Sequence, residues 1–432
     1  MKDKLHIFQR TMLLWNRIHP YNAVHVIRIP QPLDLPRLKN IIQKQLEIYH
    51  LTGLALDKKQ KRFSYKGGAV AVNVKIIEEQ NKISAALDNE IAIQLNTSFP
   101  TDNVITPFRF FVVREGSFFY LGLVYLHFVS SADSIVYLLQ SIFNKYMNKN
   151  SADIALSLQH YYLNLRHILT FNMRYLIGWL LTLPSYIADV RRSFRPSYPD
   201  IDNHHISFSH FSIEPPQFRA LVKASKRWGV TLNDIFLALL LLSISPFASN
   251  RLTSPRRKKI SVASVVNIRK ELPLGIQRPF GLYLGSFMVS HNVPKGITLD
   301  HLAKDIHEQT VKIKRQKLYL RSLIEQMLAL TLIPLFSQKR QRKFYAKYYP
   351  LWGGISNINL NTLWDRSIEE TPFDYLRAVS TGPVAPLVFS LTTVNETVKV
   401  GVSLRDTVFS GTDCEKIIRE ISNYIRTIEM TL

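Results

Sequence analysis

Eight consecutive residues, 127–134, bring together an imidazole, three serine hydroxyls and a carboxylate. Imidazole accepts and returns a proton near neutral pH because its pKa is about 6.5, so His127 is a candidate general base. Ser130 and Ser131 can orient a substrate, although a serine hydroxyl without an adjacent base is a poor nucleophile. The segment therefore suits proton transfer with a bound substrate. The alternatives are a structural histidine, hydrogen-bonded in an interface between lobes, and serines that only form the turn.

A buried strand and an amphipathic helix flank this segment. Residues 118–128 form a run of β-branched and aromatic side chains, and apolar residues recur at helical spacing from Ile135 to Tyr146. A turn between such elements is where α/β enzymes often carry reactive side chains. If the strand continued through Val129, His127 would lie on the same face, about 6–7 Å further back.

Composition limits the classes of function. The 432 residues are 46% hydrophobic, which is enough for two moderate cores, and we expect two lobes. The net charge of +23 fits an anionic membrane surface or an acidic acyl carrier protein. Nucleic acid is a weaker candidate because no RNA-recognition, zinc or helix-turn-helix pattern accompanies the charge. The single cysteine, Cys414, excludes internal disulfides and thiolate metal clusters, and the histidines lack metal-ligand spacing.

The sequence predicts no membrane-spanning helix. The longest apolar stretches, residues 175–188 and 235–248, are about 14 residues long and contain a proline, below the ~18–20 needed to cross a bilayer. The N-terminus has charges among its apolar positions and does not resemble a signal peptide. We expect a cytoplasmic protein that is soluble or peripheral on a membrane. The basic, aromatic residues 160–195 and 330–348 are candidates for contact with anionic lipid.

Strand-like and helix-like segments alternate in both halves of the chain, which predicts a mixed α/β fold. We expect an N-terminal lobe over residues 1–150, a helical crossover over 151–200 and a C-terminal lobe over 201–432, with strands from the C-terminal part bridging to the first lobe. Residues 320–346 have the period of one long helix. Thr231 and Asp234 have the residue types that cap the N-terminus of a helix.

Several segments, in their order along the chain, resemble the condensation-domain and chloramphenicol acetyltransferase superfamily. Within that superfamily, the chain most resembles stand-alone members similar to wax ester synthases and diacylglycerol acyltransferases. The matching segments cover nearly the whole chain and are residues 32–38, 123–146, 229–238, 265–269, 284–287, 354–357 and the two C-terminal strands. The resemblance implies two chloramphenicol acetyltransferase-like lobes in a V around a central channel. It also implies an acyl-CoA or acyl-carrier thioester as donor, with no bound cofactor or metal.

In that superfamily the turn carries a His-His-x-x-x-Asp-Gly motif. Its second histidine is the general base, and its aspartate faces an arginine across the lobe interface. When the motif is aligned on Asp133, both histidines are absent, the position of the base is Val129 and the glycine is Ser134. Asp133 and Arg269 match the structural pair, so we expect an ion pair between them.

Two functions remain open. The first is acyl transfer from a thioester to a hydroxyl or amine acceptor, which can be lipid-like, with His127 as an atypical base. The second is a catalytically inactive binding or partner-recruiting module, because the valine at position 129 can neither accept nor donate a proton. Ser356 and Asn357 match a position beside the channel where an amide can stabilise an oxyanion, and a turn-forming role is the alternative.

Overall fold

The computed structural model of the protein describes residues 2–57, 61–79, 82–100, 104–147, 173–272, 280–364 and 374–431. The first part of the predicted crossover, residues 151–172, lies outside the described residues, so the domain boundaries at 150 and 200 stay predictions. The described chain forms mixed sheets flanked by helices, with a cavity lined by both halves of the chain. This agrees with the predicted two-lobed α/β class.

The first lobe is built from the elements up to residue 147. In chain order they are β1 (Lys2–Lys4), α1 (Ile7–Ile18), β2 (Asn22–Ile29), α2 (Leu35–Ile48), β3 (Leu54–Leu56), β4 (Arg62–Tyr65), β5 (Val74–Glu78), α3 (Ile83–Asn96), β6 (Phe108–Glu115), β7 (Phe118–Leu126) and α4 (Ala132–Tyr146). Strand β7 pairs antiparallel with β2 on one side and β6 on the other, and most of its side chains are buried. A central strand covered on both faces explains the continuous apolar run in its sequence.

The remaining described elements begin at residue 173 and, apart from the first helix, which lies in the predicted crossover, belong to the second lobe. They are α5 (Met173–Arg192), β8 (Ile206–Ile213), α6 (Pro215–Trp228), α7 (Leu232–Ile244), β9 (Ile260–Asn267), β10 (Leu284–His291), α8 (Leu299–Arg315), α9 (Arg321–Leu332), α10 (Gln338–Tyr348), β11 (Leu351–Asn359), α11 (Leu360–Leu363), β12 (Tyr375–Val379), β13 (Leu387–Val394), β14 (Thr397–Arg405) and α12 (Gly411–Thr431). Six of the strands form one sheet in the order β10-β9-β11-β13-β14-β8.

Strand β12 leaves the second lobe and joins the sheet of the first. It pairs antiparallel with β2, so the order of that sheet is β12-β2-β7-β6-β5. A smaller sheet, β1-β4-β3, packs separately. The C-terminal part of the chain therefore bridges to the first lobe, as the sequence predicts.

Helix α7 is the core helix of the second lobe. Thr231 Oγ1 accepts from the backbone N–H of Asp234, and the Asp234 carboxylate accepts from the Thr231 backbone N–H, which is a capping box. With the 3₁₀ segment Ser245–Leu252, this helix is long and apolar enough to span a membrane by length and composition, a longer stretch than the sequence count suggests. Because 67% of the apolar window is buried inside the protein, the segment also has the properties of a core helix.

Two element boundaries differ from the sequence prediction. The expected single helix over residues 320–346 is two helices, α9 and α10, separated by a 3₁₀ turn at Ile333–Leu335. Pro334 lies in this turn, where proline's missing N–H and fixed φ favour a break. The strand expected to reach residue 128 ends at Leu126, and His127–Val129 form a 3₁₀ turn.

Candidate functional site

A cavity of about 390 Å³ lies between the two lobes. Its wall takes side chains from α1, β2 and the turn after β7 in the first lobe, and from β9, β10, β11, α8 and α9 in the second. Helix α5 contributes side chains as well. Strand β12 also contributes, through Arg377 and its neighbours. A volume of this size is within the range of small-molecule sites.

An ion pair joins the lobes beside this cavity. Arg269, just after β9, donates from Nη1 to Asp133 Oδ2 at 3.0 Å, and Asn267 Nδ2 donates to the same oxygen. Asp133 is in the first turn of α4, and both charged side chains are mostly buried, at 9% and 14% exposure. The expected Asp133–Arg269 contact is therefore present, and its burial makes each charge depend on the other.

The serine hydroxyls belong to this contact between the lobes. Arg269 Nη2 donates to Ser131 Oγ at 3.0 Å and to Ser134 Oγ at 2.7 Å. Ser131 donates through its Oγ and its backbone N–H to the carbonyl oxygen of Gly281, a second-lobe residue. We call Ser131, Asp133, Ser134, Asn267 and Arg269 the interlobe brace.

Neither of the serines proposed to orient a substrate reaches the cavity. Ser130 and Ser131 are completely buried, and Ser130 Oγ donates to the Ser131 carbonyl oxygen at 2.9 Å. Neither residue is part of the cavity wall. Because their hydroxyls are engaged within the protein, we correct the sequence interpretation and assign them to the structure of the turn.

His127 does line the cavity. Its Nδ1 lies 3.1 Å from the carbonyl oxygen of Ser130. A carbonyl oxygen only accepts, so Nδ1 carries the proton and Nε2 is left as an acceptor. The ring stacks on Tyr21 and meets Tyr125 edge to face, with centroids 5.5 and 5.6 Å away. The imidazole is therefore held in one tautomer and one orientation.

Burial sets the charge of this imidazole. Desolvation lowers the pKa of His127 to about 4; the hydrogen bond to Ser130 opposes this shift, and the positive charge of Arg377 adds to it. The ring is consequently neutral at pH 7. It is ready to accept a proton, but it is a weaker base than an exposed histidine.

Val129 occupies the motif position of the base without facing the cavity. Its side chain is buried, and it is not part of the cavity wall. The neighbouring Phe128 accepts from Gln9 Nε2 of α1 through its carbonyl oxygen at 3.1 Å, which fixes the turn against that helix. Because residues 127–129 turn rather than continue the strand, the expected shared face of His127 and Val129 is not found.

Three polar side chains of the cavity region were missed from the sequence. His25 on β2 lines the cavity, and its Nδ1 lies 2.7 Å from the hydroxyl of Tyr375 on β12. Burial lowers the pKa of His25 well below its usual value. Arg377, also on β12, lines the cavity as well. The sequence signal that could have identified them is a polar residue inside an otherwise apolar strand, as in residues 22–29 and 375–379.

Arg377 is a buried cation held by neutral groups. Nε donates to Thr392 Oγ1 at 2.9 Å, and Nη2 donates to the carbonyl oxygens of Ser356 and Leu391 at 2.9 and 2.6 Å. No carboxylate of the described residues forms an ion pair with it. Burial lowers the pKa of Arg377 to about 10, so it stays charged at pH 7. We call the cavity-lining residues His25, His127 and Arg377, together with Tyr375, the hydrogen-bond partner of His25, the polar wall.

Ser356 and Asn357 both line the cavity from β11, where the resemblance places them. Ser356 is tied to Arg377, which donates to its Oγ at 3.3 Å and to its carbonyl oxygen. The side chain of Asn357 is exposed. Of these two residues, Asn357 is the better placed to offer an amide N–H to a ligand. No group of three or more His, Cys, Asp or Glu residues in the described chain can hold a metal ion.

No protein-family model and no curated protein matches the sequence. Solved structures match it along its whole length. The cyclization-docking bidomain of EpoB from Sorangium cellulosum superposes with a TM-score of 0.68 at 12% identity, covering 99% of this chain and 85% of that one. The first condensation domain of the calcium-dependent antibiotic synthetase, in complex with a substrate analogue, has a TM-score of 0.66 at 13% identity over 99% and 97%. The fold is that of a condensation domain.

The epimerization domain of tyrocidine synthetase B has the same condensation-domain fold, with a TM-score of 0.64 at 13% identity over 100% of this chain and 97% of that one. The resemblance found from short sequence segments is therefore confirmed at the level of the fold. The condensation-domain fold extends over both lobes, since the matches cover nearly all of this chain. Identities of 12–13% establish the fold and leave the chemistry to be argued from the cavity.

Proposed function

We propose that this protein transfers an acyl group from a thioester, carried by coenzyme A or by a carrier protein, to a hydroxyl or amine acceptor in the interlobe cavity. The observation that carries the proposal is the state of His127. Its Nδ1–H is donated to the Ser130 carbonyl, and its Nε2 is an unprotonated acceptor on a residue of the cavity wall. The condensation-domain fold supports the reaction class.

In the proposed step, the acceptor O–H or N–H gives its proton to His127 Nε2 while its oxygen or nitrogen attacks the thioester carbonyl carbon. The tetrahedral intermediate collapses, the C–S bond breaks, and the imidazolium returns the proton to the departing thiolate. The side-chain amide of Asn357 is the proposed donor to the developing oxyanion. The positive charge of Arg377 in the same wall favours that negative charge.

A second function, binding without turnover, is favoured by two observations. The motif position of the base is Val129, and burial lowers the pKa of His127 to about 4, which weakens it as a base. A protein of this kind would hold an acyl ligand or recruit an acyl carrier without releasing a product. An acidic carrier protein remains a candidate partner under both functions because the chain has a net charge of +23.

The two functions are separated by a transfer assay on the purified protein. Acyl-CoA and acyl-loaded carrier protein serve as donors, long-chain alcohols and amines serve as acceptors, and ester or amide product is measured by mass spectrometry. We expect product with the wild type and a loss of about 10²- to 10⁴-fold in His127→Ala, the usual contribution of a general base. Ser130→Ala, in the same turn but outside the cavity wall, is the matched control and should change the rate by less than about threefold.

Two outcomes would decide against acyl transfer by His127. Donor binding by the wild type with no product would identify a binding module. Product formed at an equal rate by His127→Ala and the wild type would leave transfer in place and remove His127 as the base.

A further inference from the structure

Large exposed apolar side chains concentrate on two helices. Of the 17 such side chains in the described residues, eight lie on α5, on α9 or in the turn after α9, and they are between 39% and 76% exposed. We call these eight the apolar face: Leu180, Leu181, Leu183, Ile187, Met327, Leu328, Leu332 and Leu335. Isolated exposed leucines need no explanation, whereas a concentration of this kind marks an interaction site.

The two helices contact each other and border the cavity. Tyr186 on α5 donates from its hydroxyl to Glu325 Oε2 on α9 at 3.2 Å, and the guanidinium of Arg321 lies 3.6 Å from the centre of the Tyr186 ring. Both helices also place side chains in the cavity wall, among them Ser185 and Gln326. Each helix therefore presents one side to the cavity and apolar side chains to solvent.

The cavity wall reaches the surface close to these helices. Tyr348, at the end of α10, lines the cavity while 47% of it is exposed. The preceding residue, Lys347, accepts a hydrogen bond through its carbonyl oxygen from Arg195 Nε, just beyond α5, at 2.8 Å. The basic segments 160–195 and 330–348, identified separately in the sequence, are thus joined in space through their described parts.

A cleft of about 510 Å³ lies at the end of α5. It is lined by Pro255 and five arginines, and we call it the arginine cleft: Arg191, Arg192, Arg195, Arg256 and Arg257. Its two basic runs are held together by backbone hydrogen bonds, from Lys259 N–H to the Arg192 carbonyl at 3.2 Å and from Phe194 N–H to the Lys259 carbonyl at 2.7 Å. The backbone therefore keeps like charges close together.

Few carboxylates offset this charge. None of the five arginines forms an ion pair with a carboxylate of the described residues. The sequence contains no Asp or Glu over residues 190–199, 235–270 or 326–364, the segments that carry the cleft, the end of α9 and all of α10. Asp189 lies nearby, and it is paired with Lys259 at 2.6 Å. Clustered guanidinium groups without counter-charge suit phosphate, which arginine binds with two parallel hydrogen bonds.

We propose that the apolar face and the arginine cleft together form a docking surface for an anionic phospholipid membrane. The apolar side chains enter the boundary between headgroups and acyl chains, and the arginines bind lipid phosphates. A bilayer provides both chemistries at once, whereas a soluble phosphate ligand leaves the apolar face uncovered. The docking itself does not depend on acyl transfer.

Vesicle flotation tests this surface. The purified full chain is mixed with vesicles of phosphatidylcholine alone or of phosphatidylcholine with phosphatidylglycerol. We expect binding only to the phosphatidylglycerol vesicles, with weakening as salt is raised. Arg192→Gln/Arg256→Gln should reduce the partition coefficient by roughly tenfold or more, from the usual contribution of each basic residue near an anionic surface. Leu181→Ser/Leu335→Ser should also reduce it, by removing apolar insertion.

Control variants remove arginine or a large apolar side chain elsewhere on the surface. Arg419→Gln/Arg426→Gln removes two exposed arginines from α12, and Met430→Ser removes a side chain that is 87% exposed; neither should change vesicle binding by more than about twofold. Equal binding to both vesicle types, or equal losses in the cleft and control variants, would overturn the proposal. Stabilisation of the protein by adenosine 3′,5′-bisphosphate without vesicle binding would identify a soluble phosphate ligand instead and also overturn it.

Discussion

The interlobe brace and the polar wall lie side by side in this fold and differ in how their charges are balanced. In the brace, the Asp133 carboxylate is bound by Asn267 and Arg269, and Arg269 reaches two serine hydroxyls as well. In the polar wall, burial makes His127 neutral, and Arg377 has only neutral partners among the described residues. In the brace, the carboxylate and the guanidinium balance each other's charge. In the polar wall, the positive charge of Arg377 can still pair with a negative group of a ligand.

This difference shows which residues around the turn after β7 the fold itself requires. An ion pair buried between lobes must keep both partners, because loss of one leaves a charge away from water. A proton acceptor in the cavity wall only has to reach the substrate, so its position along the chain can change. Under the proposed function, His127 and Val129 illustrate such a change: Asp133 and Arg269 of the brace match the pattern that the sequence resembles, while the imidazole lies two positions before the motif position of the base.

Removing the charge partner in the brace should have the largest effect. Arg269→Met leaves the Asp133 carboxylate without its cation, and we expect a loss of about 3–5 kcal/mol in the free energy of unfolding, measured by urea denaturation. Arg219→Met is the matched control, since Arg219 and Glu396 form an exposed pair at 56% and 53% exposure, and it should cost less than about 1 kcal/mol. Similar losses in the two variants would show that the brace does not hold the lobes.

The polar wall should make the stability of the folded protein decrease in acid. The pKa of His127 is about 4 in the folded protein and about 6.5 when unfolded, so the unfolded state binds the proton first as the pH falls. The contribution of His127 to the free energy of unfolding is therefore fully present above about pH 6.5. It decreases as the pH falls towards 4, by up to about 3 kcal/mol. We expect thermal unfolding of His127→Gln to depend less steeply on pH across this window than that of the wild type. Equal slopes would mean that His127 is not buried in its neutral form.

Much of the fold was predictable because it depends on the order of short segments. The strand-turn-helix around residue 127, the cap at Thr231 and Asp234, and the later strands each follow from local apolar spacing and cap chemistry. The helix break at Pro334 could also have been predicted from the sequence, because proline disfavours a helix interior. The Asp133–Arg269 contact followed from the resemblance and not from local pattern.

The remaining features of the site depend on contacts between distant segments. Ser131 belongs to the brace because the Gly281 carbonyl reaches it from the other lobe, about 150 residues away along the chain. His25 and Tyr375 meet only because β12 crosses to pair with β2. The 3₁₀ turn that separates His127 from Val129 replaces two residues of an expected strand, and a short apolar run does not distinguish the two.

The central claim is that the general base in the cavity is the imidazole at position 127 and not a side chain at position 129. Its most direct test compares the acyl-transfer rate of the swapped variant His127→Val/Val129→His with those of His127→Val and the wild type. We predict that the swap is as slow as His127→Val, about 10²- to 10⁴-fold below the wild type, because the side chain at 129 is packed away from the cavity. Recovery of the wild-type rate in the swapped variant would contradict this account and return the base to the motif position.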